Sequence, residues 1–198
     1  MPDIANYHLT RAADPVKLPE GLDAVAHSLA GAVRPGFSVR GFRTRALAIQ
    51  ERAARWRDAK EGHLADEMRR LRDHFRRRGK ANPELEEEAL AFCVEVARRT
   101  LGLDAHCEQI MGALAIRGGA LVEMATGEGK TLTIALAAVI PGWDGRPVHV
   151  LTANDYLAER DAKGLGTYYR TCGVNVASVT GGLEAPERQR SYQSAVVY

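Results

Sequence analysis

A short glycine-bearing run in the second half of the chain has the residue types that bind phosphate groups. The run is Thr126-Gly127-Glu128-Gly129-Lys130-Thr131. Gly127 and Gly129 can turn their backbone N–H groups toward an anion because they carry no Cβ. Lys130 would reach the β- and γ-phosphates of a nucleotide, and the Thr131 hydroxyl would ligate Mg²⁺. The run therefore predicts a phosphate loop that binds ATP together with Mg²⁺.

A phosphate loop needs a strand before it and a helix after it, and the flanking residues fit this requirement. The apolar run 120–124 predicts the strand, and residues 130–140 predict a helix whose free N–H groups and positive dipole end face the same anion. Met124 departs from the general Gly-x4-Gly-Lys-Ser/Thr pattern, which has glycine there. The alternative, a turn and helix start that bind no ligand, is disfavoured by this context.

Short apolar runs alternate with helical segments throughout the second half of the chain. The predicted strands cover 120–124, 148–151, 174–180 and 195–198, and the predicted helices cover 130–140, 155–165 and 185–194. Strands that alternate with helices form a parallel sheet with right-handed crossovers. We therefore predict the α/β fold class, with a parallel sheet flanked by helices and a helical region before it.

The first half of the chain divides into an irregular lead-in and a helical region. Residues 1–42 contain several prolines and glycines, with one short helix predicted over 21–33. Residues 43–78 are rich in Ala, Leu, Arg and Glu, which predicts two amphipathic helices or one long broken helix. Their buried face is expected to contain Leu64, Met68, Leu71 and Phe75.

A further helix is predicted to begin at Asn82-Pro83. Asn82 would cap it, Pro83 suits the first helical position, and Gly102 would end it. Its acidic residues Glu86, Glu87 and Glu88 lie near the positive end of the dipole, and its basic residues Arg98 and Arg99 lie near the other end. Its buried stripe is predicted to consist of Leu85, Ala89, Phe92 and Val96.

Composition excludes several classes of protein without identifying a partner. The 198 residues are 45% hydrophobic and 26% charged, with a net charge of +2, which is typical of a globular protein. The three cysteines are far apart and form no Cys-x-x-Cys pair, so we expect reduced thiols in a cytosolic protein. The amino terminus lacks a signal-peptide pattern, and no stretch approaches the ~20 apolar residues of a membrane span.

Two longer blocks around these features resemble the SecA family of preprotein translocase ATPases. The block 123–131 differs from the family's Glu-Met-Arg-Thr-Gly-Glu-Gly-Lys-Thr only by Ala125 in place of arginine. The block 148–161 is similar to the family's Thr-x-Asn-Asp-Tyr-Leu-Ala-x-Arg-Asp signature, in which Asn154 or Asp155 can also cap a helix. By resemblance, this second block has a role in coupling to the polypeptide and to the second motor domain.

A third block, 101–112, resembles the family's adenine-reading segment, with Gln109 at the position of its glutamine. A glutamine amide can donate to and accept from an adenine edge, which selects ATP over GTP. The alternative for Gln109 is a solvent-facing helix residue. The resemblance implies that residues 85–198 are the first part of a RecA-like P-loop NTPase domain, and that the helical region at 43–84 is loosely similar to the family's amino-terminal region. The irregular lead-in at 1–42 matches no part of the family.

The resemblance implies an ATPase that moves unfolded preproteins through a SecY-type channel, on the cytoplasmic face of the plasma membrane. The family's hydrolysis also needs a carboxylate motif on a later strand and an arginine from a second RecA-like domain. We therefore expect this chain to be a fragment without ATPase turnover of its own. Ala125 and the unmatched residues 1–42 leave open an accessory SecA-like paralogue, and homo-oligomer formation is also left open.

A dense basic segment precedes the acidic start of the Pro83 helix. It contains Arg69, Arg70, Arg72, Arg76, Arg77, Arg78 and Lys80. We favour a solvated helix face with partly neutralised charges, and an anionic membrane surface is the candidate partner otherwise. Two alternative functions remain: a superfamily-2 RNA or DNA helicase, and a non-enzymatic ATP-binding module. No nucleic-acid partner is expected, because the 152–161 block matches SecA better than it matches a helicase motif.

Overall fold

The computed structural model describes residues 38–78 and 83–198, without the side chain of Arg78. Most of the predicted lead-in, including the predicted helix at 21–33, lies outside these residues, as do Asn82 and Lys80. In the described part of the chain, no helix has both the length and the apolar character needed to cross a membrane.

Four helices form the first half of the described chain: α1 (Val39–Ala54), α2 (Glu61–Arg78), α3 (Pro83–Leu101) and α4 (Cys107–Arg117). The region 43–78 therefore forms two helices rather than one. α1 begins before residue 43 because the Ser38 hydroxyl accepts a hydrogen bond from the Gly41 N–H at 2.9 Å. The last residues of the predicted irregular lead-in are thus helical, which corrects that boundary.

The second half contains four helices and three short strands. In chain order these are α5 (Lys130–Trp143), β1 (Val148–His149), α6 (Asp155–Gly164), α7 (Gly166–Thr171), β2 (Val176–Ala177), α8 (Ala185–Ser191) and β3 (Val196–Val197). The strands form a parallel sheet in the order β1-β3-β2, with Val196 opposite both Val148 and Val176. The α/β class and the parallel sheet are confirmed for three of the four predicted strands.

The segment 120–124 is not a strand, which corrects the fourth prediction. It joins the end of α4 to the phosphate loop without a partner in the described sheet. The Leu121 side chain is fully exposed, whereas Val122 packs against the core. The apolar pattern alone was not sufficient, because a strand also requires a neighbouring backbone with which to exchange hydrogen bonds.

The predicted buried faces are confirmed, and α3 is buried more completely than a single stripe. Leu64, Leu71 and Phe75 of α2 are buried, and Met68 packs beside them. Every residue of α3 from 89 to 97 is buried, including Glu95. This burial follows from the position of α3, which packs against α1, α5 and α7.

Trp143 anchors the carboxyl end of α5 in this core. Its indole N–H donates a hydrogen bond of 2.7 Å to the backbone carbonyl of Cys172. Its ring lies 5.8 Å from that of Phe75 and 6.3 Å from that of Phe92, measured between centroids. α5 thus continues through Pro141, beyond the predicted end at Ile140, and the buried helix holds the loop that precedes it in a fixed position.

Candidate nucleotide-binding site

The predicted phosphate loop has the backbone conformation that its two glycines allow. Gly127 has φ 87° and Gly129 has φ 81°, both in the left-handed region that side chains other than glycine rarely adopt. Gly129 is the residue immediately before α5. The chain therefore turns at both glycines before the helix begins, a conformation in which successive N–H groups can face one anion.

Between Gly127 and Thr131, four of the five backbone amides are available to a ligand. Among the described residues, no hydrogen bond is formed by the N–H groups of Gly127, Gly129, Lys130 or Thr131. Two of these amides belong to the first turn of α5, where the helix dipole also favours an anion. The residues present therefore fit a phosphate group, which would accept hydrogen bonds from several of them at once.

The two charged side chains of the loop, Glu128 and Lys130, form hydrogen bonds with the loop's own backbone. The Lys130 ammonium donates to the Ala125 carbonyl at 2.7 Å, and the Glu128 carboxylate accepts from the Ala125 N–H at 3.0 Å. Both side chains are solvent-exposed. Lys130 must therefore leave the Ala125 carbonyl before it can contact a phosphate.

Gln109 is buried against this loop, so the solvent-facing alternative is wrong. Its side chain is only 8% exposed, and its Nε2 donates to the Glu128 carbonyl at 3.0 Å. Its Oε1 accepts from the His106 N–H at 3.0 Å, which caps the first turn of α4. One N–H and one oxygen lone pair of the amide remain for another partner.

Thr131 and Thr133 both lie near the start of α5 but differ in their exposure to solvent. Thr131 is partly exposed, whereas Thr133 is buried and its hydroxyl donates to the Gly129 carbonyl at 3.3 Å. A Cβ on Gly112 of α4 would lie 2.8 Å from Thr133 Cγ2. Sequence reasoning gave Gly112 and Thr133 no role, and only the glycine in an apolar helix hinted at this close contact between α4 and α5.

The second block forms a separate pocket at the carboxyl ends of β1 and β3. The cavity measures about 300 Å³, and its lining includes His149, Thr152 and Tyr192. Asn154 caps α6, because its side chain accepts from the Leu157 N–H at 2.9 Å. Asp155 instead accepts from the Gly181 N–H at 2.9 Å. The predicted cap is confirmed, and Asp155 fixes the loop that follows β2.

The basic segment of α2 is partly neutralised within the fold. Arg69 pairs with Asp66, and Arg70 pairs with both Glu67 and Glu88. Arg76 and Arg77 are exposed and have no ion-pair partner among the described residues. The membrane interpretation of this segment stays a prediction.

Comparison with known proteins agrees with this geometry. Residues 34–198 match the model of the SecA DEAD-like domain. The chain is 44% identical to protein translocase subunit SecA 2 of Chlorobium chlorochromatii over 97% of its length, and 42% identical to SecA 2 of Magnetococcus marinus over 93%. It is also 40% identical over 61% of its length to the chloroplastic SECA2 of Arabidopsis thaliana. The chain spans 29%, 28% and 11% of these relatives, respectively. It belongs to the SecA DEAD-like domain family.

Proposed function

We propose that this member of the SecA DEAD-like domain family is the ATP-binding part of a motor that couples ATP hydrolysis to the translocation of unfolded preproteins. The names of its relatives, protein translocase subunits, support the transport role. The observation that carries the proposal is the loop before α5, with two left-handed glycines and four free amides. The family match also favours this function over a nucleic-acid helicase.

Each predicted site residue except Glu128 has a proposed role that its position supports, whereas the Glu128 N–H donates to the Ala125 carbonyl at 3.4 Å and its contact with the nucleotide stays a prediction. The amides at 127, 129, 130 and 131 hold the phosphates, Lys130 neutralises their charge, and the Thr131 hydroxyl is a ligand for Mg²⁺. Bound Mg²⁺ would offset the negative charge that develops on the phosphates. The remaining donor and acceptor of the Gln109 amide suit the adenine edge, while its other two bonds fix its orientation.

We propose that the complete domain is RecA-like. In such a domain, another parallel strand would lie between the segment 120–124 and β1. Among the described residues, β1 pairs only with β3, so its other side has no neighbouring strand. This strand would also cover Leu121 and Leu151, which are 101% and 95% exposed. The division into a lead-in, a helical region and a nucleotide-binding domain beginning at residue 85 is likewise retained as a proposal, with the helical region beginning at Val39 and not at residue 43.

The remaining properties of the motor are proposed from the family alone. Its partners would be unfolded preproteins and a SecY-type channel, at the cytoplasmic face of the plasma membrane. The catalytic carboxylates and the arginine finger would be supplied by other parts of the motor. We therefore propose that the isolated chain binds ATP with little turnover, and steady phosphate release that is lost in Lys130→Ala would contradict this.

Titration of the purified chain with fluorescent ATP tests the binding site. Lys130→Ala should weaken affinity by about 10- to 100-fold, because a charge-assisted contact contributes ~1.5–3 kcal/mol. Lys60→Ala is a matched control, since Lys60 is exposed and lies in the turn before α2. Equal affinities in the two variants would exclude the assigned role of Lys130.

The adenine contact has a separate test. Gln109→Ala should reduce the preference for ATP over GTP, and the ratio of the two affinities is the measurement. The ratio separates base recognition from any loosening of the loop, because loosening would weaken both nucleotides equally. An unchanged ratio would leave Gln109 as a structural residue only.

A further inference from the structure

β2 forms an open edge of the described sheet. Its Asn175 and Ala177 carbonyls accept hydrogen bonds from the N–H groups of Val196 and Tyr198 at 3.1 and 2.9 Å. Successive residues of a strand point their backbone groups to opposite sides, so those of Val176 and Ser178 face away from β3. No described residue forms a backbone hydrogen bond with them. This edge could therefore accept another strand.

A groove of about 630 Å³ runs beside this edge, between β2 and the helices α6 and α7. Lys163 of α6 and Arg170 of α7 line it, and both are exposed. Neither has an ion-pair partner among the described residues, and no carboxylate lines the groove. Its surface is therefore positive.

A third cation approaches the groove from α2. Arg72 Nη1 lies 3.4 Å from the position that a Cβ on Gly173 would occupy, and Gly173 is part of the groove. The Nε of Arg72 is buried without a hydrogen-bond partner. Arg72, beside Gly173, thus adds to the two cations that line the groove, and no described carboxylate forms an ion pair with any of the three.

We propose that this groove binds an acidic segment of a partner polypeptide, which adds to the edge of β2 as an extended strand. Main-chain hydrogen bonds to Val176 and Ser178 would give affinity, and the three cations would select acidic side chains. An extended peptide fits better than a nucleic acid, because no aromatic side chain lines the groove to stack on a base. A lipid head group would use the cations but leave the strand edge unpaired. The groove shares no residue with the phosphate loop.

Fluorescence anisotropy with the 198-residue chain tests the proposal. The probe is a labelled ten-residue peptide of alternating Glu and Val with blocked termini. Lys163→Glu with Arg170→Glu should weaken its binding about tenfold or more, since two attractive charges become repulsive. Arg40→Glu with Lys60→Glu makes the same change in net charge at exposed residues outside the groove and should leave affinity within about twofold. If circular dichroism shows that the reversal variant is unfolded, Lys163→Gln with Arg170→Gln replaces it, with weaker binding again expected.

Two further comparisons separate strand addition from simple charge attraction. The same peptide with N-methylated backbone amides should lose binding, and hydrogen exchange should show the Val176 and Ser178 amides protected by the unmodified peptide. Absence of acidic-peptide binding, equal binding of the methylated peptide, or unprotected amides would overturn the proposal. Tighter binding of phosphatidylserine vesicles or of an RNA oligonucleotide, with the same dependence on Lys163 and Arg170, would also overturn it.

Discussion

The side-chain amide of Gln109 lies directly against the α-carbon of Gly129, across the boundary between α4 and the phosphate loop. A Cβ on Gly129 would stand 2.1 Å from Gln109 Nε2 and 3.0 Å from its Cδ. The other loop glycine, Gly127, has a similar positive φ but nothing within 4 Å of its would-be Cβ. The two glycines are therefore required for different reasons: conformation alone at Gly127, and conformation together with space at Gly129.

Alanine substitutions should separate these two requirements. Gly127→Ala should cost about 1–2 kcal/mol through its left-handed backbone alone. Gly129→Ala should cost more, because it also displaces Gln109 from the Glu128 carbonyl. Urea unfolding measures both costs, and titration with fluorescent ATP should show the greater loss of affinity in Gly129→Ala.

The contact with Gln109 can be isolated by a double-mutant cycle. Adding Gln109→Ala to Gly129→Ala removes the clash, so the double variant should be more stable than the sum of the two single effects predicts. Adding Gln109→Ala to Gly127→Ala should give additive effects. Strict additivity in both cycles would show that the close approach has no energetic consequence.

Acid should destabilise the helical half through Glu86. Its carboxylate lies 2.9 Å from Arg45 and 2.8 Å from Arg117. Burial alone would raise the pKa of Glu86, but the ion pairs with Arg117 and Arg45 outweigh burial and lower it. The stabilisation is therefore complete above the unfolded-state pKa of about 4.3 and is lost as the pH falls through the lower folded-state pKa.

Measuring the free energy of unfolding as a function of pH tests whether stability falls with decreasing pH, as predicted. Glu86→Gln should lower stability at neutral pH and make it depend less on pH in the acid range. Glu84→Gln is the matched control, because Glu84 is exposed in the first turn of the same helix and should change the curve little. A curve for Glu86→Gln as steep as that of the unmodified chain would contradict the predicted linkage.

Arg98 and Arg99 both pair with Glu95, and Arg99 should contribute more to the stability of the fold. Its guanidinium donates to the carbonyls of Trp56 and Ala59 at 2.7 and 2.8 Å, and its Nε donates to Glu95 at 2.6 Å. Arg98 contacts Glu95 but no backbone carbonyl in the described turn. Arg99→Ala should therefore lower stability by roughly 2–3 kcal/mol, because the turn between α1 and α2 loses its donors.

Thermal unfolding of matched variants tests this difference. Arg98→Ala should have the smaller effect, because Arg99 still pairs with the buried Glu95. Arg99→Lys should recover only part of the loss, since an ammonium group cannot reach the same acceptors in a planar arrangement. Equal melting temperatures for Arg98→Ala and Arg99→Ala would refute the role assigned to Arg99.

Local signals in the sequence predicted the elements that depend on local physics. The Pro83 helix, the buried face of α2 and the Asn154 cap follow from short-range patterns, and the structure has all three. The role of the glycines in the phosphate loop could also be predicted from the sequence, because only a few motifs place two glycines before a lysine at a helix start. The burial of Gln109 could not be predicted from the sequence, since it depends on the close packing of α4 against α5 at Gly112.

Sheet pairing was the least predictable part of the fold, because it depends on residues distant along the chain. Residues 174–180 and 195–198 contain strands of a parallel sheet, as predicted, and these two strands are neighbours, which was not predicted. The equally apolar segment 120–124 does not pair, although nothing in its own composition distinguishes it. An apolar pattern therefore does not by itself predict a strand, because pairing depends on which backbone lies beside the segment.

Hydrogen exchange of the 198-residue chain should distinguish the unpaired segment 120–124 from the paired strand β3. The amides of Leu121, Val122, Glu123 and Met124 have no acceptor among the described residues, so they should exchange at close to the unstructured rate. The amides of Val196 and Tyr198 donate to Asn175 and Ala177 and should be protected. Strong protection of 121–124 would mean that the segment already pairs in the isolated chain. In a longer SecA-type protein, the proposed neighbouring strand should protect every second one of these amides, those on the side that faces it, which makes the comparison a test of the RecA-like fold.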